Sequence, residues 1–457
     1  MLGQVFDAFV KESPLCVMIR GLIERVLDPK RLDEWFEEHA ESQYTRDLLF
    51  STVFDIMSKV VSGSYKSVHA AYQASNEDIE VSTTSVYNKL NGIETSTSAG
   101  LVRYAAEEAR AIIEELEGSQ EPLLPGYRVK LLDGNCIEAS EHRIEELRPL
   151  REGPLPGKSL VVYDAAVRMP IDVFLCEDGH AQERSLLGEV LATVAASDVW
   201  IADRNFCTRE FLTGIAGQDA FLIIRQHGNL PWEPIGKETQ AGYVETGEVY
   251  QQPIRVGDED GKAWEFRRIR VVLKQKTRDG DKAIAIITNL TKQQASAKRI
   301  ANLYRKRWTI ETAFQELALH FNSEINALGY PPAALFGFCV ALVSYIILAV
   351  VKAAMTSVHG AETVDKKISG YYLADEIAYT YRGMMIAIPF EHWIVFRCCS
   401  RKEFIKVLEQ LAGNMKLSRF RKHPRGPKKK ANKQEPDSKK THVSTARIIA
   451  NRKKDSC

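Results

Sequence analysis

The sequence predicts an α/β protein, and three patterns predict that class. Residues 1–120 carry apolar positions at helical spacing. Between residues 128 and 225 short β-rich runs come first in succession and then alternate with amphipathic stretches. Residues 228–290 alternate as β-hairpins do, with turn signals at GDEDG and TRDGDK. Hairpins followed by strand–helix alternation build a sheet layered with helices.

Bulk composition narrows the class. A chain of 457 residues, 45% hydrophobic and 26% charged, is an ordinary globular protein with a large core. At about 100–200 residues per domain it holds roughly three domains. Its eight cysteines form no CxxC pair and no His cluster completes a zinc spacing, which excludes a structural zinc site and points to a reduced, cytosolic compartment. The opening MLGQVFDAFVKESPLC pairs no charged leader with an apolar run, so a signal peptide is not expected. Residues 333–351 carry no charge over nineteen positions. That length suits a membrane span, but a helix apolar all round is equally the buried centre of a large domain, and the second reading is the expected one.

In the first region, Phe6, Phe9 and Val10, then Leu48–Leu49, Val53–Phe54, Met57 and Val60–Val61, follow helical spacing. In 82-STTSVYNKLNGIET-95, Ser82 is placed to N-cap a helix with Val86 and Leu90 on one face. After SVHAAYQASNEDIEV this would be the second half of a helix-turn-helix, offering Ser85, Asn88 and Lys89 to DNA; the alternative is a plain helical hairpin. Gly and Pro cluster in 118-GSQEPLLPGYR-128 and mark a boundary. Beyond it RVKLLDG, SLVVYDAA and IDVFLCED are strands, Gln182 to Ala196 a helix, DVWIAD a strand, 207-CTREFLTGIAG-217 a helix and FLIIR a strand. The segment 228–290 is expected as a β insertion before the next helix.

The net charge of +1 conceals an asymmetry. From Lys416 onward there are 15 Lys/Arg against 3 Asp/Glu, leaving 46 against 57 in the rest. An acidic body thus carries a basic tail. RKHPRGPKKKANKQEPDSKK lacks apolar periodicity and is expected to be disordered, serving either phosphate contact or solubility.

Two aspartates close predicted strands: Asp133 in RVKLLDG and Asp203 after DVWIA. Open α/β sheets place their chemistry at such edges. Glu311 lies in 304-YRKRWTIETAFQELA-318, where Tyr304, Arg307 and Glu311 recur three and four residues apart and so share one helical face. Three carboxylates gathered by a sheet and its covering helix offer the hard oxygen ligands that magnesium takes. A metal pair about 3.5–4 Å apart would clamp the oxygens of an in-line phosphoryl displacement. Singly, each has a plainer reading: a turn, a surface ion pair, an exposed helix charge. Asp164, closing SLVVYD, rivals the aspartates, and Glu316 is a weaker rival of Glu311.

Together LLDGNCIEASEHRIEELR, LPGKSLVVYD, EDGHAQERSLL, IADRNFCTREFL and YRKRWTIETAFQEL resemble the insertion-sequence transposases of the DDE group with the Y-R-E-K signature. The blocks run from about Leu131 to Leu317 in the family's order. The resemblance implies an RNase H-like catalytic core over 121–345, interrupted by the β insertion 228–290. A helical DNA-end-binding domain, 1–120, would precede it, and a helical C-terminal region with the basic tail, 346–457, would follow. It implies that Asp133, Asp203 and Glu311 bind two magnesium ions, with manganese able to substitute, and that Tyr304 and Arg307 contact transposon-end DNA. It further implies an extruded base stacked on an aromatic residue of the insertion, Trp232 or Trp264; packing within the β core is the alternative for both. The signature lysine's position, seven residues after the glutamate, is Ala318, and Gln315 stands one turn earlier, so that phosphate contact is missing or supplied elsewhere. His142, Arg143, Glu183 and Arg184 fall in matching blocks without a role that can be derived.

The expected activity is metal-dependent cleavage and strand transfer at the terminal repeats of a mobile element. It would be carried out by a homodimer on double-stranded DNA in the bacterial cytoplasm, at the nucleoid, without membrane. A nuclease that does not join, and a DNA-binding regulator with a degenerate site, are the alternatives.

Overall fold

The computed structural model describes residues 2–43, 47–75, 79–258, 260–277, 280–423 and 441–455. Its strands are β1 (Arg128–Cys136), β2 (Gly153–Leu155), β3 (Lys158–Asp164), β4 (Met169–Cys176), β5 (Asp198–Ala202), β6 (Phe221–Arg225), β7 (Glu233–Pro234), β8 (Thr239–Val244), β9 (Gly247–Gly257), β10 (Ala263–Leu273), β11 (Ala283–Thr288) and β12 (His442–Ser444). One ten-stranded sheet runs β4-β3-β1-β5-β6-β11-β10-β9-β7, with β8 also on β9. β3 and β4 extend from β1 antiparallel, while β5 and β6 extend from its other edge parallel. Three antiparallel strands joined to two parallel ones in this order make an RNase H-like core.

The expected insertion does not form a separate β body. β11 pairs with β6 through Ile286↔Arg225 and Ile287↔Ile224, so the core sheet continues into the long β9–β10 hairpin. The helix expected over 182–196 is reduced to a 3-10 turn, Glu183–Leu186, and a short helix, Leu187–Leu191. After it the bonds tighten to i→i−3, Thr193 N–H to the Val190 carbonyl and Val194 N–H to the Leu191 carbonyl, and Ser197, with φ +66°, turns the chain into β5.

Helices cover the sheet. Thr95–Glu115 lies along β4, and Ser82 caps Thr83–Gly92 by accepting from the Ser85 N–H. The apolar run sits within one unbroken helix, Pro331–His359, which starts with Pro at its first turn and ends at Gly360 with φ +80°. Of its most apolar stretch, 94% is buried. It is bedded on Pro14–Val26, Phe50–Val61, Thr95–Glu115, β4 and Arg401–Asn414. A boundary at 345/346 therefore falls inside a helix, and the apolar continuity that drew attention to the run is the reason no domain edge can lie there. The two ends of the chain also share a core: Phe6 meets Trp393 edge-on at 5.0 Å, and the buried Glu24 accepts from Arg397 at 2.5 Å.

The basic stretch 421–440 lies outside the described residues from 424 on. Residues 441–455, at its far end, are structured. β12 adds in parallel to β2, and the Thr445–Asp455 helix pairs Arg447 with Asp178 at 2.7 Å and Arg452 with Glu145 at 3.1 Å. The chain's C-terminal segment is thus tied to the loop after β1.

Candidate active site

Parallel pairing of β1 with β5 matches Leu132 with Ala202. Asp133 and Asp203 are the next residues on each chain. β1 itself runs three residues beyond Asp133, because its antiparallel partner β3 extends to Lys158; Asp133 is inside the strand and not at its end. The β5 strand does stop before Asp203, whose carboxylate caps the following 3-10 turn by accepting from the Asn205 N–H at 2.6 Å. Leu132 and Ala202 both face one apolar cluster, and the alternation of a strand turns Asp133 to the opposite face.

Tyr304, Arg307 and Glu311 do not lie on one helix. Ala297–Arg305 ends after Tyr304, and Trp308–His320 begins after Arg307. The joint is a tight turn: the Arg307 N–H donates to the Tyr304 carbonyl at 3.0 Å and the Ile310 N–H to the Arg307 carbonyl at 3.1 Å. These i→i−3 bonds keep the backbone helical while overwinding it, so the predicted convergence survives the break. Glu311 occupies the first turn of the second helix, where the unsatisfied N–H groups favour a carboxylate.

Arg307 connects the parts. Its Nη1 lies 3.3 Å from Asp133 Oδ2 and its Nη2 2.5 Å from Glu311 Oε1, while its buried Nε has no partner among the described residues. The Asp133 carboxyl is pushed up to about 7, first by burial and then by the charges of Asp203 and Glu311, with Arg307 opposing. One guanidinium thus serves two carboxylates, and its charge does not fully offset the burial of Asp133. Tyr304 is buried at 7% exposure, and burial raises its phenol. Its ring belongs to the core and offers no free stacking face. The exposed aromatic here is Trp308, at 61%, with the Arg307 guanidinium 5.3 Å from its ring centroid. Spacing alone does not single it out: Trp308 stands four residues after Tyr304 and three before Glu311, so it fits the repeat as well as Arg307 does.

The rivals are otherwise engaged. Asp164 is buried; desolvation would raise it, but Arg110 at 2.7 Å, Arg128 at 2.9 Å and the Ala166 N–H hold it below the usual carboxylate range. Glu316 accepts from Tyr345 at 3.2 Å and Lys352 at 3.1 Å. Trp232 and Trp264 pack against the apolar cluster on the sheet face away from Asp133. Trp232 lies under Arg268, and Trp264 donates to Asp258 at 2.8 Å. The structure does not bring either to Glu311. Lys89 is 9% exposed, with its ammonium 4.6 Å from the Phe36 ring centroid, so it faces the interior and not DNA; Ser85 and Asn88 on the same helix are exposed.

The donor chemistry suits a hard divalent cation: three carboxylates, no soft ligand, one cation among them. Among the described residues no three His, Cys, Asp or Glu side chains close into a metal cage. The Arg307 fork stands between Asp133 and Glu311, in the gap that such a cation would fill.

Residues 125–328 match the family model of the transposase DDE domain. Over this span the chain is similar to the transposase DDE domain. Its matched span opens just before β1 and closes after the Glu311 helix, so it takes in the whole site. No curated protein matches the chain. DDE transposases act on DNA as metal-dependent nucleases and transferases, and the site's acidic make-up agrees with that chemistry.

Proposed function

We propose that the chain is an insertion-sequence transposase of the Y-R-E-K type, which cuts the ends of its element and joins them to target DNA. The observation that carries this is the convergence of Asp133 and Glu311 on one guanidinium, with the Asp203 charge acting on Asp133, inside the segment that matches a transposase DDE domain. These three would hold magnesium, with manganese as substitute. When bound, the divalent ions supply charge stabilisation at the scissile phosphate and a more acidic attacking water.

The chain's own residues do the rest. Arg307, released from the carboxylates, turns its planar fork to the phosphate oxygens. Tyr304 backs Arg307 from within the core, its phenol close enough to feel the guanidinium charge. Trp308 offers the stacking surface beside Glu311, exposed where Trp232 and Trp264 pack against an apolar cluster. The first strand is cut, and the freed 3′ hydroxyl then attacks the second strand or the target. The N-terminal helices would read the terminal repeats through the face bearing Ser85 and Asn88, and the protein would act as a homodimer. The nucleoid is the expected place of work.

The test is cleavage of DNA carrying both native ends, with magnesium, by wild type and Glu311→Ala. Release of defined ends by wild type alone supports the proposal. Cleavage without a joined product would make it a nuclease. Binding without cleavage by either protein would make it a regulator, the reading that Ala318 and Gln315 favour.

A further inference from the structure

Glu183 is the acidic residue of the HAQERSLL block that sequence left without a role. It opens the 3-10 turn Glu183–Leu186. Its Oε2 accepts from Asn205 Nδ2 at 2.8 Å, and its Oε1 is pressed on Gly134, where an added Cβ would come within 2.3 Å of it. Asn205 is the residue whose N–H donates to Asp203 at 2.6 Å. Arg184 completes the junction by donating from Nε to the Asn205 carbonyl at 2.7 Å. One carboxylate therefore lies against the backbone beside Asp133 and grips the residue that aims Asp203. Gly134 leaves the room this needs.

We propose that Glu183 is a positioning residue for the aspartate pair. It sets the Asp203 carboxylate through Asn205 and fixes the distance of that loop from β1 at Gly134. This rests on the proposed metal site. Partners that orient metal-binding groups typically account for about 10–100-fold in metal affinity. Because Glu183 acts here through a hydrogen-bond acceptor and not through its charge, a glutamine, which retains a carbonyl oxygen, should serve nearly as well.

The test is manganese binding to the full-length protein without DNA, by calorimetry, with thermal unfolding and end-DNA binding measured alongside. Glu183→Ala and Asn205→Ala should each weaken manganese about tenfold or more. Glu183→Gln should stay within about threefold of wild type, and the Glu183→Ala/Asn205→Ala double variant should be no worse than the poorer single one. Unfolding and DNA binding should not move. Gly134→Ala, which displaces the carboxylate without altering it, should resemble Glu183→Ala. Wild-type manganese binding by Glu183→Ala overturns the inference, as does a Glu183→Gln as poor as Glu183→Ala, since charge and not positioning would then be at work. Asp203→Ala is the control: if it binds manganese like wild type, the metal site itself is misassigned, a result distinct from failure of Glu183 alone.

Discussion

Asp133 and Asp164 stand on adjacent strands of one sheet, both shielded from water, and their surroundings have opposite effects. Asp164 has two arginines and a backbone N–H to itself and is held below the ordinary carboxylate range. Asp133 shares one arginine with Glu311 and is pushed up to about 7, first by burial and then by the charges of Asp203 and Glu311. Saturated charge stabilises a fold, whereas charge left short of partners is free to take a ligand.

Exchanging the two roles is the sharpest way to break this contrast. Asp133→Asn should cut cleavage by about a thousandfold or more, several kcal/mol at 1.36 kcal/mol per decade, with stability undiminished. Asp164→Asn should spare cleavage per folded molecule but lower unfolding stability by about 1–3 kcal/mol, since Arg110 and Arg128 would lose their charged acceptor but stay partly solvated. Stability measured by denaturant titration and cleavage measured on end DNA separate the outcomes, and a crossed result would reverse the assignment.

The same contrast recurs on a single helix. Glu311→Gln should resemble Asp133→Asn, while Glu316→Gln should cost about 1–3 kcal/mol of stability through Tyr345 and Lys352 and leave cleavage intact. Loss of cleavage in Glu316→Gln with unchanged unfolding would exchange the two glutamates.

A smaller effect concerns acid. Asp164 has a folded-state pKa below its unfolded value, so its stabilisation is present above about pH 3.9 and is lost as pH falls through the lower folded value. Unfolding midpoints measured from pH 5 downward should fall more steeply in wild type than in Asp164→Asn; parallel curves would show that Asp164 is not the group responsible. The smallest effect belongs to the tail. Replacing Arg425, Lys428, Lys429, Lys430, Lys433, Lys439 and Lys440 with glutamine should flatten the salt dependence of DNA binding, by about 0.9 in the log–log slope for each phosphate contact removed. An unchanged slope would leave the tail as a solubility device.

Some of this was legible in the residues. β-branched runs ending in carboxylates placed the strands, because strand periodicity and turn chemistry are local. The three-and-four spacing of Tyr304, Arg307 and Glu311 foretold their convergence, although hydrogen bonding at the joint broke the helix. Lys89 misled because helical spacing says which residues share a face and not which face is buried. Trp232 and Trp264 stay open between stacking and packing in the sequence because sheet face depends on register, which only pairing reveals. Glu183 was invisible as a partner of Asp203 since their link runs through Asn205, and no sequence interval encodes it.

The Pro331–His359 helix has a consequence for synthesis. A ribosome delivers it after the helices Pro14–Val26, Phe50–Val61, Thr83–Gly92 and Thr95–Glu115 that pack against it, but before Arg401–Asn414. For some forty residues of elongation the most apolar segment of the chain has one side open. A product ending between residues 360 and 400 would keep that side open permanently, greasy enough to be taken for a membrane span by the machinery that sorts nascent chains. Premature termination should therefore yield an aggregating or mis-sorted fragment, and not a smaller working enzyme.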